Sequence, residues 1–125
     1  MVSGIGVDIV SIVNMSGALK RFGEGIKNRL FTKAEQQICE KKHTPAVHYS
    51  GKFAAKESFL KALRRENRGK IRWREIEVLN SPGGQPYFHF SGTAGKILEE
   101  NGFCASVSLS HSREYAIAFC LIQKN

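Results

Sequence analysis

The alternation of apolar and small or polar residues between Gly4 and Val10 predicts a β-strand near the amino-terminal end. One face of this strand carries isoleucine and valine, and the other carries Gly4, Gly6 and Asp8. Aspartate is disfavoured in strands, and the two neighbouring glycines leave its face without other side chains. We therefore expect a ligand to approach the backbone closely on this face. The alternative is an aspartate at the end of an edge strand that caps the following helix.

The segment after this strand predicts helices. The basic stretch Ser11–Arg29 is predicted to be partly helical, with breaks at Gly23 and Gly25. A capping box then spans Thr32 to Glu35, and we expect a short helix from there to about Lys42.

A longer helix is predicted to open at Pro45 and to end between Arg64 and Gly69. Its apolar stripe consists of Phe53, Ala55, Phe59, Leu60, Ala62 and Leu63. Lys56 projects into this stripe, Glu57 lies at its edge, and Lys61 follows one turn later. A buried ammonium group is costly unless a negative group meets it. A carboxylate and two amines that converge at the border of a core could hold a metal ion and a phosphate. Alternatively, Lys56 snorkels and Glu57 forms a surface pair with Lys61, worth roughly a few tenths of a kcal/mol.

After Gly69 the apolar period changes to two, which favours strands. The predicted elements are a hairpin around Asn80–Pro86, a helix capped by Ser91 or Thr93 that stops at Asn101–Gly102, and strands over Ala105–Ser110 and Tyr115–Ile122. This order predicts one α+β domain over residues 1–125, with a largely antiparallel sheet and packed helices.

Composition narrows the class of protein. The 125 residues are 42% hydrophobic and 24% charged, as in soluble globular proteins, and we predict neither a signal peptide nor a membrane span. Cys39, Cys104 and Cys120 form no paired framework. We therefore expect a reduced, cytoplasmic setting and no zinc site. The only tryptophan, Trp73, is expected in the core or at a subunit contact.

The formal net charge of +8 calls for an anionic partner. A nucleic acid, an acidic protein and a phosphorylated small molecule all satisfy this requirement, and charge alone does not choose among them. An alternative is that the basic residues after the first strand form an ordinary solvated face that keeps the protein soluble. These residues are Lys20, Arg21, Lys27 and Arg29.

The order of motifs along nearly the whole chain resembles the holo-acyl-carrier-protein synthases, the small members of the 4′-phosphopantetheinyl transferase superfamily. The matching segments are Gly6-Val7-Asp8-Ile9, Phe31-Thr32 with Glu35, Lys52 to Ser58 with Lys61, Gly84-Gln85-Pro86, and Ser110-His111-Ser112. The resemblance implies transfer of 4′-phosphopantetheine from coenzyme A to a serine of an apo acyl carrier protein, with release of 3′,5′-ADP. It also implies Mg²⁺ dependence and a place in fatty acid and lipid biosynthesis.

The resemblance assigns the reacting centre to four residues. Asp8 and Glu57 would hold Mg²⁺, which prefers one or two carboxylates together with water and substrate phosphate. Lys61 would neutralise charge on the leaving phosphate, and Lys56 would anchor the site by pairing with a buried carboxylate. The serine proton would pass to a metal-bound water or to Glu57.

The resemblance also assigns contacts with coenzyme A. They are Lys52, Lys56, Gly84, Pro86, Ser110, His111 and Ser112. As sequence alone, Gly84 and Pro86 are turn residues and His111 is a solvated histidine, although two flanking serines give it neighbours suited to phosphate oxygens. His43, His48 and His89 are expected to have no role in function.

The resemblance implies that an acidic carrier protein docks on the helix after the first strand, and we expect the basic residues Lys20, Arg21 and Arg29 to compensate for the departure described next. The family pattern has an acidic residue three positions after the aspartate and an arginine six after it, where this chain has Ser11 and Asn14. Docking through Asn14 is therefore not assumed. The resemblance further implies a homotrimer with active sites between subunits.

Three alternatives belong to other classes. A nucleic-acid-binding domain explains the charge but neither Asp8 nor Lys56, and no stretch interleaves exposed aromatics with basic residues. A divalent-metal phosphohydrolase would use the same carboxylates without a protein acceptor. A non-catalytic subunit would tolerate loss of both carboxylates. We predict the transferase, with neither nucleic acid nor membrane as partner.

Overall fold

The strands and helices follow one another in the predicted order. The computed structural model describes residues 1–125. Its elements are β1 (Val2–Ser11), α1 (Ile12–Phe22), α2 (Glu24–Leu30), α3 (Lys33–Glu40), α4 (Pro45–Ala62), α5 (Arg65–Arg68), a 3₁₀ turn (Trp73–Glu75), β2 (Ile76–Asn80), β3 (Pro86–Phe90), α6 (Gly92–Asn101), β4 (Phe103–His111) and β5 (Tyr115–Lys124). No helix is both long enough and apolar enough to span a membrane.

All strand pairs are antiparallel, which confirms the predicted α+β class, but they form two sheets. One sheet has the order β1-β5-β4, and the hairpin β2-β3 forms the other. The first strand of the chain thus lies beside the last, with Asp8 opposite Ala118. The largest core cluster surrounds Phe59 of α4, where α6, the β2-β3 hairpin and one face of β5 meet.

The glycine face of β1 packs against α4. A Cβ atom at Gly6 would lie 1.9 Å from the carbonyl oxygen of Ser58, and one at Gly4 would lie 2.0 Å from that of Ala62. The glycines therefore admit the backbone of a helix, and the prediction that they admit a ligand is wrong. The apolar residues of the opposite face, such as Val7, remain about half exposed.

Helix boundaries follow local backbone chemistry. Gly23, at φ 54°, separates α1 from α2 as predicted, whereas Gly25 lies inside α2, so the second predicted break is wrong. The capping box of Thr32 and Glu35 is confirmed. The long helix α4 ends at Ala62, before the predicted range, because Leu63 adopts an extended conformation.

The start of α6 is capped from outside its own sequence. Ser91 occupies the cap position as predicted, but its side chain makes no capping hydrogen bond. The Glu75 carboxylate instead accepts from the Ala94 backbone N–H at 3.1 Å. Gly102, in the left-handed region at φ 65°, ends the helix as predicted.

Candidate active site

Asp8, Glu57 and Lys61 converge where β1 crosses α4. Asp8 lies on the face of β1 that packs against the helix, and Glu57 and Lys61 are one turn apart on α4. The Lys61 Nζ atom donates to Asp8 Oδ1 at 2.9 Å and to the Val7 carbonyl oxygen at 3.2 Å. The fold therefore joins residues that are far apart in sequence into one charged cluster.

Burial raises the pKa of the Glu57 carboxyl, and the neighbouring Asp8 carboxylate raises it further, while Lys61 acts in the opposite direction. Because the Asp8 carboxylate raises the pKa of Glu57, a cation bound beside both side chains would stabilise the charged form of Glu57. Asp8 and Glu57 suit Mg²⁺, which takes its remaining ligands from water and substrate phosphate. No group of three or more metal-ligating side chains occurs, so the chain builds no all-protein metal cage.

This cluster opens into a cleft of about 550 Å³, which we call the carboxylate cleft. It is lined by Asp8, Ile9, Val10, Ser11, Asn14, Met15, Ala18, Ile26, Leu30, Phe53, Glu57 and Lys61. The two positions that depart from the family pattern lie in this wall. Ser11 caps α1 by accepting from the Asn14 backbone N–H at 3.2 Å, so this residue serves the helix terminus.

A second cleft, of about 430 Å³, has four basic residues in its wall and no acidic one, and we call it the basic cleft. The basic residues are Lys42, His48, Lys52 and His111, and the predicted contacts Gly84 and Ser110 also line it. Burial lowers the pKa of His48, and Lys42, His111 and Lys52 lower it further. An accumulation of positive charge of this kind suits a phosphate group.

Besides Lys56, which is described below, two predicted cofactor contacts lie outside the lining of the basic cleft. The Ser112 hydroxyl accepts from the backbone N–H groups of Glu114 and Tyr115, both at 3.3 Å, and so fixes the β4-β5 turn. Pro86 begins β3 and pairs with Asn80. Their local role is therefore structural.

Two lysines of α4 point into the protein. Lys52 donates to the Val78 carbonyl oxygen at 2.7 Å and to Asn80 Oδ1 at 3.2 Å, with little of its surface exposed. Lys56 is fully buried, lines neither cleft, and forms an ion pair with Glu35 at 2.7 Å. The expected pairing of Lys56 with a buried carboxylate is confirmed. Direct contact of Lys56 with coenzyme A is wrong, because the ammonium group has no exposed surface.

Glu35 joins three elements around this ion pair. Its carboxylate accepts from Thr32 N at 2.8 Å, from Lys56 Nζ at 2.7 Å and from Val78 N at 2.9 Å. Lys56 also donates to the Trp73 carbonyl oxygen at 3.1 Å. Burial lowers the pKa of Lys56, and Glu35 opposes that shift. The pair therefore holds α4, and with it Glu57, against α3 and β2.

The two clefts lie on different sides of α4 and share no lining residue. At about 100° per residue, Gly51 and Lys52 project roughly opposite to Phe53 and Glu57. The helix itself therefore separates the carboxylate cleft from the basic cleft within one chain.

Comparisons with known proteins bear on this arrangement. A sequence model of the 4′-phosphopantetheinyl transferase superfamily matches residues 4–120. The chain belongs to this superfamily. It is 42% identical over 128 aligned positions to a holo-[acyl-carrier-protein] synthase from Cytophaga hutchinsonii, with both chains fully covered. The predicted family and the prediction of an enzyme are thereby confirmed.

Solved structures of superfamily members have the same fold. A holo-[acyl-carrier-protein] synthase from Neisseria meningitidis superimposes with a TM-score of 0.87 at 31% identity, covering 99% of this chain and 100% of the other. An ACPS–CoA complex from Chronobacterium ammoniagenes gives a TM-score of 0.81 at 28% identity, covering 98% and 97%.

Sequence reasoning missed two residues of the basic cleft, Lys42 and His48. Each looks like an ordinary polar residue near a helix terminus, and His48 was expected to have no role in function. The signal lies in helical spacing, because His48 precedes Lys52 by one turn of α4 on the same side.

Trp73 is half-buried and packs on Phe53 with ring centroids 5.1 Å apart.

Proposed function

We propose that the protein transfers 4′-phosphopantetheine from coenzyme A to a serine of an apo acyl carrier protein. The serine Oγ forms a bond to the β-phosphorus of coenzyme A, the bond from that phosphorus to the bridging oxygen breaks, and 3′,5′-ADP leaves. The observation that carries the proposal is the meeting of Asp8, Glu57 and Lys61 in one cleft of a superfamily member. Superfamily members of similar length are named for this reaction, and one was solved with coenzyme A.

Asp8 and Glu57 would hold Mg²⁺, which neutralises pyrophosphate oxygens during phosphoryl transfer. Glu57 lines the cleft, and burial together with the neighbouring Asp8 carboxylate raises its pKa, which favours its taking up a proton. The serine proton passes to Glu57 or to solvent. Lys61, half exposed beside Asp8, is placed to neutralise the leaving phosphate.

The basic cleft would receive the phosphorylated nucleoside end of coenzyme A. Lys42 supplies positive charge there, the rings of His48 and His111 supply nitrogen atoms for hydrogen bonds, and Gly84 and Ser110 supply close backbone and hydroxyl contacts. Lys52 supports this cleft from behind, since its Nζ atom is bound to Val78 and Asn80.

We infer that the working form is a homotrimer, with each active site built from the carboxylate cleft of one subunit and the basic cleft of another. The separation of the clefts by α4 supports this arrangement. The outer face of the β1-β5-β4 sheet supports it too, because it exposes a band of large apolar side chains. They are Ile5, Val7, Ile9, Tyr115, Ile117 and Phe119, each 40–60% exposed. A band of this kind is typical of a protein interface.

The acceptor would be an acidic carrier protein that meets Lys20, Arg21 and Arg29. Lys20 and Arg21 lie in the last turn of α1, and Arg29 lies near the end of α2. Opposite charge on the carrier speeds encounter and orients the serine. We place the reaction in the cytoplasm, in fatty acid biosynthesis, where the three free cysteines stay reduced.

The deciding experiment incubates the purified protein with apo acyl carrier protein, coenzyme A and Mg²⁺, followed by intact-mass measurement of the carrier. We expect a carrier heavier by one phosphopantetheine arm, and no mass change with a chelator. Asp8→Ala should reduce the rate about 10²-fold or more, on the scale of one lost electrostatic contact. Phosphate release without a protein acceptor would replace the proposal with phosphohydrolysis, and a normal rate for Asp8→Ala would remove the metal assignment.

Lys61→Ala separates catalysis from binding. We expect turnover at saturating coenzyme A to fall more than the apparent affinity for coenzyme A, because Lys61 acts on charge that develops in the transition state. Steady-state kinetics with both substrates varied provide the measurement. An effect confined to apparent affinity would remove the catalytic role.

A further inference from the structure

A third cleft, of about 700 Å³, is lined by three arginines and lies beside the carboxylate cleft. We call it the arginine cleft, and its lining residues are Asn28, Arg29, Thr32, Ile71, Arg72, Trp73, Arg74, Glu75 and Ser91. The fold brings Arg29, near the end of α2, into the same cleft as Arg72 and Arg74, which precede and follow Trp73 in the sequence. Their proximity is therefore a product of tertiary structure.

The positive charge of this cleft is uncompensated within the chain. Arg29, Arg72 and Arg74 are exposed, and the five ion pairs of the protein include none of them. The only carboxylate in the lining, Glu75, is bound to the backbone of α6 through Ala94. Three guanidinium groups thus face solvent without an ion-pair partner, and the single carboxylate of the lining leaves an excess of positive charge.

The arginine cleft adjoins the place where the acceptor serine must react. Arg29 precedes Leu30, which lines the carboxylate cleft, and the Trp73 ring packs on Phe53, which lines it too. A protein whose serine enters the carboxylate cleft therefore has its surface above the Phe53–Trp73 pair. The Trp73 backbone is held by the buried Lys56, so the two flanking arginines stand on a fixed support.

We propose that Arg72 and Arg74 extend the docking surface of Arg29 and bind the acidic face of the carrier protein around its acceptor serine. The inference rests on the proposed function and names the surface by which its protein substrate is recognised. Arginine suits this task, since its planar fork pairs with carboxylates in two-point contacts. The Trp73 ring is half-buried against Phe53, so it does not stand free as a base-stacking platform, which favours a protein over a nucleic acid.

The test compares two variants with the same change in net charge. Arg72→Glu/Arg74→Glu reverses the cleft, whereas Lys96→Glu/Lys124→Glu reverses two exposed lysines that line neither this cleft nor the two clefts described above. For each we would measure the carrier KM, the coenzyme A KM, kcat, and the Kd for apo carrier by calorimetry at several salt concentrations. Melting temperatures confirm that both variants fold.

We expect the arginine variant to raise the carrier KM and Kd about tenfold or more at low salt, with a weaker salt dependence than the wild type. The coenzyme A KM and the kcat at saturation should stay within about twofold, because no arginine of this cleft lines the other two clefts.

Equal effects of the two variants on carrier binding would overturn the proposal. A single-stranded RNA oligonucleotide serves as the second probe, and loss of RNA binding with unchanged carrier binding would also overturn it. The wild type could bind the carrier without modifying it, with only the arginine variant losing that binding. This result would support the docking surface and refute the proposed transfer reaction. A wild type that does not bind the carrier removes both.

Discussion

The buried Glu35–Lys56 pair offers the sharpest test of how this site is supported. Both side chains have no exposed surface, and their charged atoms lie 2.7 Å apart. Lys56→Met removes the ammonium group but leaves a carboxylate inside the protein. Removing one partner of a buried pair typically costs about 3–5 kcal/mol in the free energy of unfolding. Glu35 keeps its backbone donors Thr32 and Val78, so we expect the lower end, about 3 kcal/mol.

The companion variant Glu35→Gln/Lys56→Met removes both charges and keeps an amide oxygen for a backbone donor. We expect the double variant to be at least about 1 kcal/mol more stable than the sum of its single changes, as is usual for groups in direct contact. Lys96→Met, on the exposed face of α6, is the matched control and should change stability by no more than about 0.5 kcal/mol.

Urea unfolding followed by tryptophan fluorescence measures these differences. Trp73 is the only tryptophan, and its backbone carbonyl accepts from Lys56, so the probe lies within the perturbed region. A loss below about 1 kcal/mol for Lys56→Met, or additive single changes, would refute the role given to this pair.

Two further predictions concern the carboxylate cleft. Gly6→Ala places a Cβ atom 1.9 Å from the Ser58 carbonyl oxygen, so β1 and α4 must separate by about 1 Å. We expect the variant to be destabilised by about 1–3 kcal/mol, and its folded fraction to catalyse transfer about 10²-fold more slowly. The control Gly17→Ala, with open space around the new methyl group, should be as stable as the wild type or more so. The pKa of Glu57 is higher in the folded protein than in the unfolded chain, so folding favours its protonated form. The stabilisation from this group is therefore complete below the ordinary glutamate pKa, and it is lost as the pH rises through the pKa of the folded protein. Glu57→Gln should therefore raise the melting temperature at pH 7.5 in chelator and not at pH 4, while abolishing transfer. An unchanged melting temperature at both pH values, or a Gly6→Ala protein as stable and active as the wild type, would contradict these arguments.

Much of the fold was predictable because its signals are local. The capping box, the glycine that separates α1 from α2 and the turn residues 80–86 each act through their own backbone. The alternation in β1 predicted two faces but did not reveal which one is covered, since that depends on the approach of α4 to Gly4 and Gly6. The division into two sheets depends in the same way on pairing between distant strands.

The candidate site was predictable to a similar degree. An ammonium group in the apolar stripe of α4 required a buried partner, and Lys56 has one. The partner is Glu35, which the sequence already explains through its role in the capping box. Nothing further in the sequence indicated that the same carboxylate also pairs with Lys56. The inward turn of Lys52 was not foreseeable either, because the Val78 carbonyl that receives it comes from a strand much later in the chain.

The adjacency of β1 and β5 has a consequence for how the protein forms during synthesis. Ser11 pairs with Tyr115 and Val2 with Gln123. During synthesis, β1 therefore cannot form its backbone hydrogen bonds with β5 until β5 has left the ribosome. Closing so long a loop is slow, and until β5 arrives both β1 and β4 lack their partner. We therefore expect chains that stall before β5 to hold β1 poorly against α4, so that Asp8 does not face Glu57 and the nascent protein is inactive.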